Sequence, residues 1–299
     1  MSYNNQHILV LLRETSDPGP PARAITRGAG ISDRGLRRVP NPADLTALEE
    51  ALLLKDSTGA TVTVLTIGPA RLDDTLRLAV SMGADRAIRF WDHGLDGGDP
   101  VTDARLLSRI VSIVSPTLVF TGNRLTDRGD DPAPALAAAT NGSPCVSAVV
   151  SLSLHKESVE LLRKSDRGAR QTVSAPFPCT VLFEEGRTPR YPSIKDVVKS
   201  LVAPIEEWEL ADLGLPFWET GATGAYLTTA EFGTPRPDPV RVVTPDPDLP
   251  AFERILSLLS GGIKAREGRM HYVSADDAAA GIWRILGEEG LTPEGSSAA

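Results

Sequence analysis

Residues 61–69 read TVTVLTIGP, and this stretch decides the fold. β-Branched side chains fill nearly every position from Thr61 to Ile67, the composition of a strand buried on both faces, and Gly68-Pro69 stops it. Such a strand belongs in a parallel sheet covered by helices. Working outward, residues 7–13 (HILVLLR) are too short an apolar run for a buried helix and read as the first strand. Between the two, Asn41-Pro42 is an N-cap followed by Pro at the first helical position. Leu45, Leu48, Ala51 and Leu52 then recur at helical spacing, with Glu49 and Glu50 expected on the opposite, solvated side and the end near Gly59. Downstream the alternation continues with a helix over 72–82 closed by Gly83, a strand over 86–90, a helix over 103–114 and a strand over 117–121. The pattern predicts an α/β fold, a doubly wound, mostly parallel, Rossmann-like sheet with right-handed crossovers. Ligands of such sheets sit outside the carboxyl ends of the strands, here after Arg13, Ile67 and Thr121.

From Cys145 the rhythm changes. Closely spaced strands over 146–154, 159–163, 171–175 and 179–183, with no helices between them, predict an antiparallel extension of the same sheet, and a helix is expected over 193–201. The Gly-, Pro- and Arg-rich loop over 18–40 is too long for an idle connection and is expected to lie over a site or a partner. Residues 210–248 hold Pro235, Pro237, Pro239, Pro245 and Pro247 with few apolar runs, and predict an extended C-terminal arm lying on a partner. Structure is expected to resume with an apolar helical face at Phe252, Ile255, Leu256 and Leu259 and a strand over 270–273. A last helix, capped by Ser274, would carry Ala278, Ile282, Ile285 and Leu286. The expected organisation is therefore an α/β nucleotide-binding-like domain over 1–209, the arm over 210–248 and a small helical segment over 249–299.

Composition narrows the function. A formal net charge of −8, with no Lys/Arg run interleaved with aromatics, repels a phosphate backbone, so no nucleic-acid partner is expected. No apolar stretch reaches the roughly 18 residues of a membrane span, and the start Met1-Ser2-Tyr3-Asn4-Asn5 lacks a basic region leading into an apolar run. A cytoplasmic location is expected. Cys145 and Cys179, each in an apolar stretch, read as reduced core thiols, and His7, His93, His155 and His271 have no partner at ligand spacing, so no metal site is expected. Gly28-Ala29-Gly30 lacks the third glycine of a dinucleotide fingerprint, no G-x-x-x-x-G-K-[ST] occurs, and no nucleophile elbow is present. The chain is expected to have no catalytic residues of its own.

Four segments in one order carry a resemblance. They are Asn41-Pro42-Ala43-Asp44 leading into 47–55 (ALEEALLLK), 61–69 (TVTVLTIGP), 79–87 (AVSMGADRA) and 189–194 (PRYPSI). Together they are similar to the N-P-x-[DE], second-strand, A-x-x-M-G-A-D-R-A and E-P-R-Y-x-[ST]-[LI] segments of electron-transfer flavoprotein β (small) subunits, with Thr188 in place of the last segment's Glu. The resemblance implies an adenine-nucleotide-binding type of α/β fold and an α subunit as heterodimer partner, which holds the redox FAD. It further implies electron transfer from a flavin-dependent dehydrogenase docked on residues 187–196, with Arg190, Tyr191, Pro192, Ser193 and Ile194 as docking residues and Ile194 as the apolar anchor. With the three strand ends it makes Leu11, Asn41, Thr66, Ile67, Gly68, Gly122, Asp127, Gly129, Asp131 and Ala133 the candidate cofactor-binding residues. The family's nucleotide loop would carry AMP, or a second FAD in bifurcating members. Here the loop over 122–134 (GNRLTDRGDDPAP) keeps only Gly122 and Asp127 and has prolines where a Gln and a Gly are expected, so weak or absent binding of a nucleotide by this subunit is expected. Two other readings remain open: a fixed docking subunit of a larger flavin-containing oxidoreductase, and a stand-alone adenine-nucleotide sensor.

Overall fold

The computed structural model describes residues 6–17, 37–228, 245–259 and 274–288, and its contacts divide the chain into two units, Met1–Gly233 and Thr234–Ala299. The first unit is built on strands β1 (His7–Leu11), β4 (Thr61–Ile67), β5 (Arg86–Phe90) and β6 (Leu118–Gly122), all parallel. A two-stranded ribbon of β2 (Glu14–Ser16) and β3 (Arg38–Pro40) follows β1. Helices α1 (Pro42–Thr58), α2 (Asp73–Met82) and α3 (Pro100–Val114) make the crossovers. β1 shows why this sheet is covered twice. Ile8 and Val10 join one apolar cluster with Leu48 and Leu52 of α1, whereas Leu9 and Leu11, pointing the other way, join a second with Leu106, Leu107 and Ile110 of α3. β1 lies between β4 and β6, so successive connections leave it in opposite directions and its carboxyl end is the topological switch point.

Beyond β6 come a short β7 (Arg124–Leu125) paired with β8 (Gly129–Asp130), helix α4 (Ala133–Thr140), and strands β9 (Cys145–Leu154), β10 (Ser158–Lys164), β11 (Arg170–Pro176) and β12 (Cys179–Phe183). The nine-stranded sheet runs β11-β10-β9-β12-β6-β1-β4-β5-β13, where β13 is Glu206–Trp208. Among the described strands of this sheet, antiparallel pairing is confined to β10, which pairs so with β9 and with β11. β12 does not continue the extension, as its spacing suggested, but returns parallel to both β6 and β9. Its five residues are buried on both faces, the requirement of a central position. Burial pushes the thiols up to about 11 for Cys145 and, with Cys145 alongside, to about 12 for Cys179, so both are protonated at neutral pH.

Two further expectations are corrected. Glu49 and Glu50 do not face water: they are 5% and 6% exposed, because the segment after β12 lies over them and supplies arginines. Residues 210–228 do not leave the domain as an arm. Leu210 and Leu213 of α6 (Leu210–Leu213) are buried in the α3-side cluster, and α7 (Gly221–Gly224) packs beside the turn at 93–95. Two leucines and a buried Thr220 give this segment enough to bury, which the prolines at positions 235–247 further along concealed. Residues 229–244, which hold three of the five prolines, lie outside the described residues, as do most of the loop over 18–40 and the strand expected over 270–273. The second unit contains α8 (Ala251–Leu259) and α9 (Ala275–Glu288), and the Ser274 Oγ accepts the Asp277 N–H at 3.2 Å, as a cap should. No described helix is long and apolar enough to cross a membrane.

Candidate functional site

The switch point is organised by one fully buried carboxylate. Asp44, in the first turn of α1, accepts hydrogen bonds from the Arg13 backbone N–H at 2.8 Å, Arg13 Nε at 3.0 Å and Nη2 at 2.6 Å, Thr121 Oγ1 at 3.1 Å and the Gly122 N–H at 2.6 Å. It thereby joins the ends of β1 and β6 to the start of α1. Gly122 is required there, since a Cβ would lie 2.6 Å from the Ala43 Cβ and 2.7 Å from Asp44 Oδ1. Arg13 continues outward: Nη2 also donates to the Gly122 carbonyl at 2.8 Å, and Nη1 to Asp131 Oδ2 at 2.7 Å. Burial alone would lower the guanidinium's pKa, and the two carboxylates outweigh it, so it is raised and Arg13 is permanently charged.

In front of this hub lies a cavity of about 430 Å³. Its apolar wall comes from the carboxyl ends of β1 and β4, from α3 and from β7, and includes Leu11, Ile67, Leu107 and Leu125. Its polar rim includes Arg13, Glu14, Arg38, Arg71, Asp103, Arg128 and Asp131. Gly68 lines the cavity at the β4 end with φ +155°, a conformation that favours glycine, and a Cβ there would push the Leu72 side chain, 2.2 Å away at Cδ1, out of place. The size suits a nucleotide-scale ligand. Asp103 is open to water by area but ringed by protein, and this burial, with Asp131 and Asp99 opposed by Arg128, pushes its carboxyl up to about 6. The sign follows: Asp103 favours the folded state below its ordinary value of 3.8, and that contribution is lost as the pH rises through about 6. In a carboxyl-carbon NMR titration Asp103 is expected to titrate well above the exposed aspartates, and to fall when Asp131 is replaced by Asn. An ordinary value in the wild type would contradict this cavity geometry.

Of the expected cofactor residues, Leu11, Ile67, Gly68, Asp131 and Ala133 line this cavity. Asn41, Gly122 and Asp127 stand behind it. The Asn41 Nδ2 donates to the Arg124 carbonyl at 2.9 Å rather than capping α1, and Asp127 accepts the Ser16 N–H at 2.9 Å and pairs with Arg38 at 3.6 Å. Thr66 and Gly129 lie apart from it: the Thr66 Oγ1 is buried without a partner, and Gly129 holds the β7–β8 turn with φ +80°. Arg13, Asp44, Arg71 and Asp103 were not singled out as site residues by the sequence reading. The signal for two of them was present, Asp44 as the acid of the N-P-x-D segment and Arg13 as the charge closing the first apolar run.

The second site is the segment over 187–202. Arg190 is a clamp: its Nε meets Glu49 at 3.0 Å, its Nη2 meets Asp56 at 2.9 Å, and its backbone N–H donates to Glu49 at 3.0 Å. Arg187 pairs through its Nε with Glu50. Beyond the clamp, Ser193 caps α5 (Ile194–Ser200), and Tyr191 (94% exposed), Ile194 (85%), Val198, Leu201 and Val202 (86%) stand in water. Pro192 is half-buried between them. These exposed apolar side chains stand on a segment that Arg187 and Arg190 tie to α1. Among the described residues no cluster of His, Cys, Asp and Glu could hold a metal ion.

Sheet order and switch-point cavity together define a doubly wound α/β domain of the nucleotide-binding type. Comparison with known proteins makes this specific. A family model for the electron transfer flavoprotein domain matches residues 29–213. The chain is 30% identical over 239 residues to the electron transfer flavoprotein subunit beta of Mycobacterium tuberculosis, covering 77% of this chain and 89% of that protein. It is 29% identical over 220 residues to the subunit beta of Methylophilus methylotrophus (72% and 83% covered), and 27% identical over 282 residues to the protein FixA of Sinorhizobium fredii (89% and 96% covered). The chain belongs to the electron transfer flavoprotein family, among its β subunits.

Proposed function

We propose that this chain is the β partner in a cytoplasmic heterodimeric electron carrier, without catalytic residues of its own. An α subunit holds the FAD, and the chain's exposed segment receives a flavin-dependent dehydrogenase. The flavin, when bound, supplies the redox chemistry, and the protein supplies position and electrostatics. The observation that carries this reading is the apolar patch of Tyr191, Ile194, Val198, Leu201 and Val202, more than a folded surface needs, presented by a segment whose arginines are fixed to α1. Arg190 serves as the tether of the docking surface, while Ile194 is its protruding contact.

An apolar anchor buried in a partner's pocket contributes about 2 kcal/mol or more, which corresponds to roughly thirtyfold in affinity. Ile194→Ala is therefore expected to slow electron transfer from the dehydrogenase about thirtyfold at subsaturating carrier while flavin content stays at the wild-type level. Unchanged transfer kinetics in a fully flavinated variant would rule the docking assignment out.

A further inference from the structure

A helix N-terminus beside an arginine is an anion-binding arrangement, and the cavity has one: the first turn of α4 faces the Arg13 guanidinium. In this chain the anion is supplied from within. Asp131 Oδ2 takes Arg13 Nη1 at 2.7 Å while its Oδ1 accepts the Ala133 N–H at 3.0 Å, so one carboxylate bridges the cation and the helix end. The neighbouring donors are missing, because Pro132 and Pro134 have no N–H. Of the remaining cations of the rim, Arg71 pairs with Glu14, Arg38 and Arg128 share Asp127 at 3.6 and 3.9 Å, and Asp103 adds a further carboxylate.

We propose that the Asp131 carboxylate is a built-in anion: it occupies, between Arg13 and the N-terminus of α4, the position a ligand's phosphate would take, and so closes the cavity to phosphate-bearing ligands. The donor set thus does not fit AMP or a second FAD in this subunit. The inference is independent of the docking surface, since its readout is ligand affinity and not electron transfer. It also differs from a closure due to the two prolines alone, which removing a charge would not relieve.

The test is calorimetry on the full-length chain, wild type against Asp131→Asn and Asp131→Ser, titrated with adenosine monophosphate and with adenosine. Both replacements keep a side-chain oxygen to cap Ala133 and remove the charge. The wild type is expected to show no preference for the phosphorylated probe, and either folded variant a preference of about tenfold or more, because Arg13 loses a competing carboxylate. A tenfold preference already present in the wild type overturns the proposal, as does a folded variant that gains none. In the unaltered chain, the Ala133 amide NMR resonance is expected to stay in place when inorganic phosphate is added, and a saturable shift would likewise overturn it.

Discussion

Replacing Asp44 by Ala is expected to cost about 3–5 kcal/mol, the range for removing one partner of a buried ion pair. The loss is large because Asp44 is fully buried and its partner Arg13 is 14% exposed at the side chain, so the guanidinium would keep its charge with only Asp131 to offset it. The Gly122 N–H and Thr121 hydroxyl, both buried, would lose their acceptor as well. Against a typical domain stability of about 5–15 kcal/mol this takes the chain to the edge of unfolding at moderate temperature. Urea titration followed by circular dichroism measures it. A second variant, Arg13→Met with Asp44→Leu, is expected to recover part of the loss, since the stranded charge goes with its partner. A single-variant loss below about 1.5 kcal/mol would show that Asp44 is not the hub that its five hydrogen bonds indicate.

Asp99→Ala is expected to be the second most damaging change, at about 3 kcal/mol, and to release a particular segment. The carboxylate caps α3 through the Val101 and Thr102 N–H groups, and its other oxygen accepts the N–H groups of Tyr226 and Leu227 at 2.8 and 3.0 Å. An N-cap contributes about 0.5–2 kcal/mol and a hydrogen bond to a charged group about 1.5–3, so losing both sets supports the figure even with solvent replacing some of them. Burial would raise the Asp99 carboxyl, but the four N–H groups outweigh it and hold it below 3.8. The stability it contributes is therefore present above that value and lost as the pH falls through the depressed one. Limited proteolysis reads the local effect: residues 210–228 should resist cleavage in the wild type and be cut in Asp99→Ala. Equal protection in the two would mean that Leu210 and Leu213 hold the segment without the cap.

Asp44 and Asp99 also show what a linear reading leaves out. Asp44 stands in the first turn of α1 and Asp99 at the N-cap of α3, places where an acid is ordinary, and neither stood out by spacing or composition as more than a cap or a solvated charge. Their weight comes from distant partners, Asp99 with Tyr226 and Asp44 with Arg13 and Gly122, brought within hydrogen-bond reach only by the sheet. Glu49 and Glu50 make the same point. A run of acid on a helix looks solvated until a chain segment some 140 positions later folds over it.

The sequence by itself determined the parallel sheet, because TVTVLTI and HILVLL can only be buried on both faces. It determined the order of helices and strands through Pro42, Gly59, Gly83 and the capping residues, and the family through four ordered segments. These are local properties, carried by side-chain periodicity and backbone preference within a few residues. Tertiary structure alone decided that β12 returns parallel beside β6, that residues 210–228 belong to the domain, and that Asp131 lies between Arg13 and the end of α4. Each depends on which charges and apolar surfaces meet across more than twenty residues of chain, and the energy of such a meeting is set by burial and distance, which no single stretch of sequence contains.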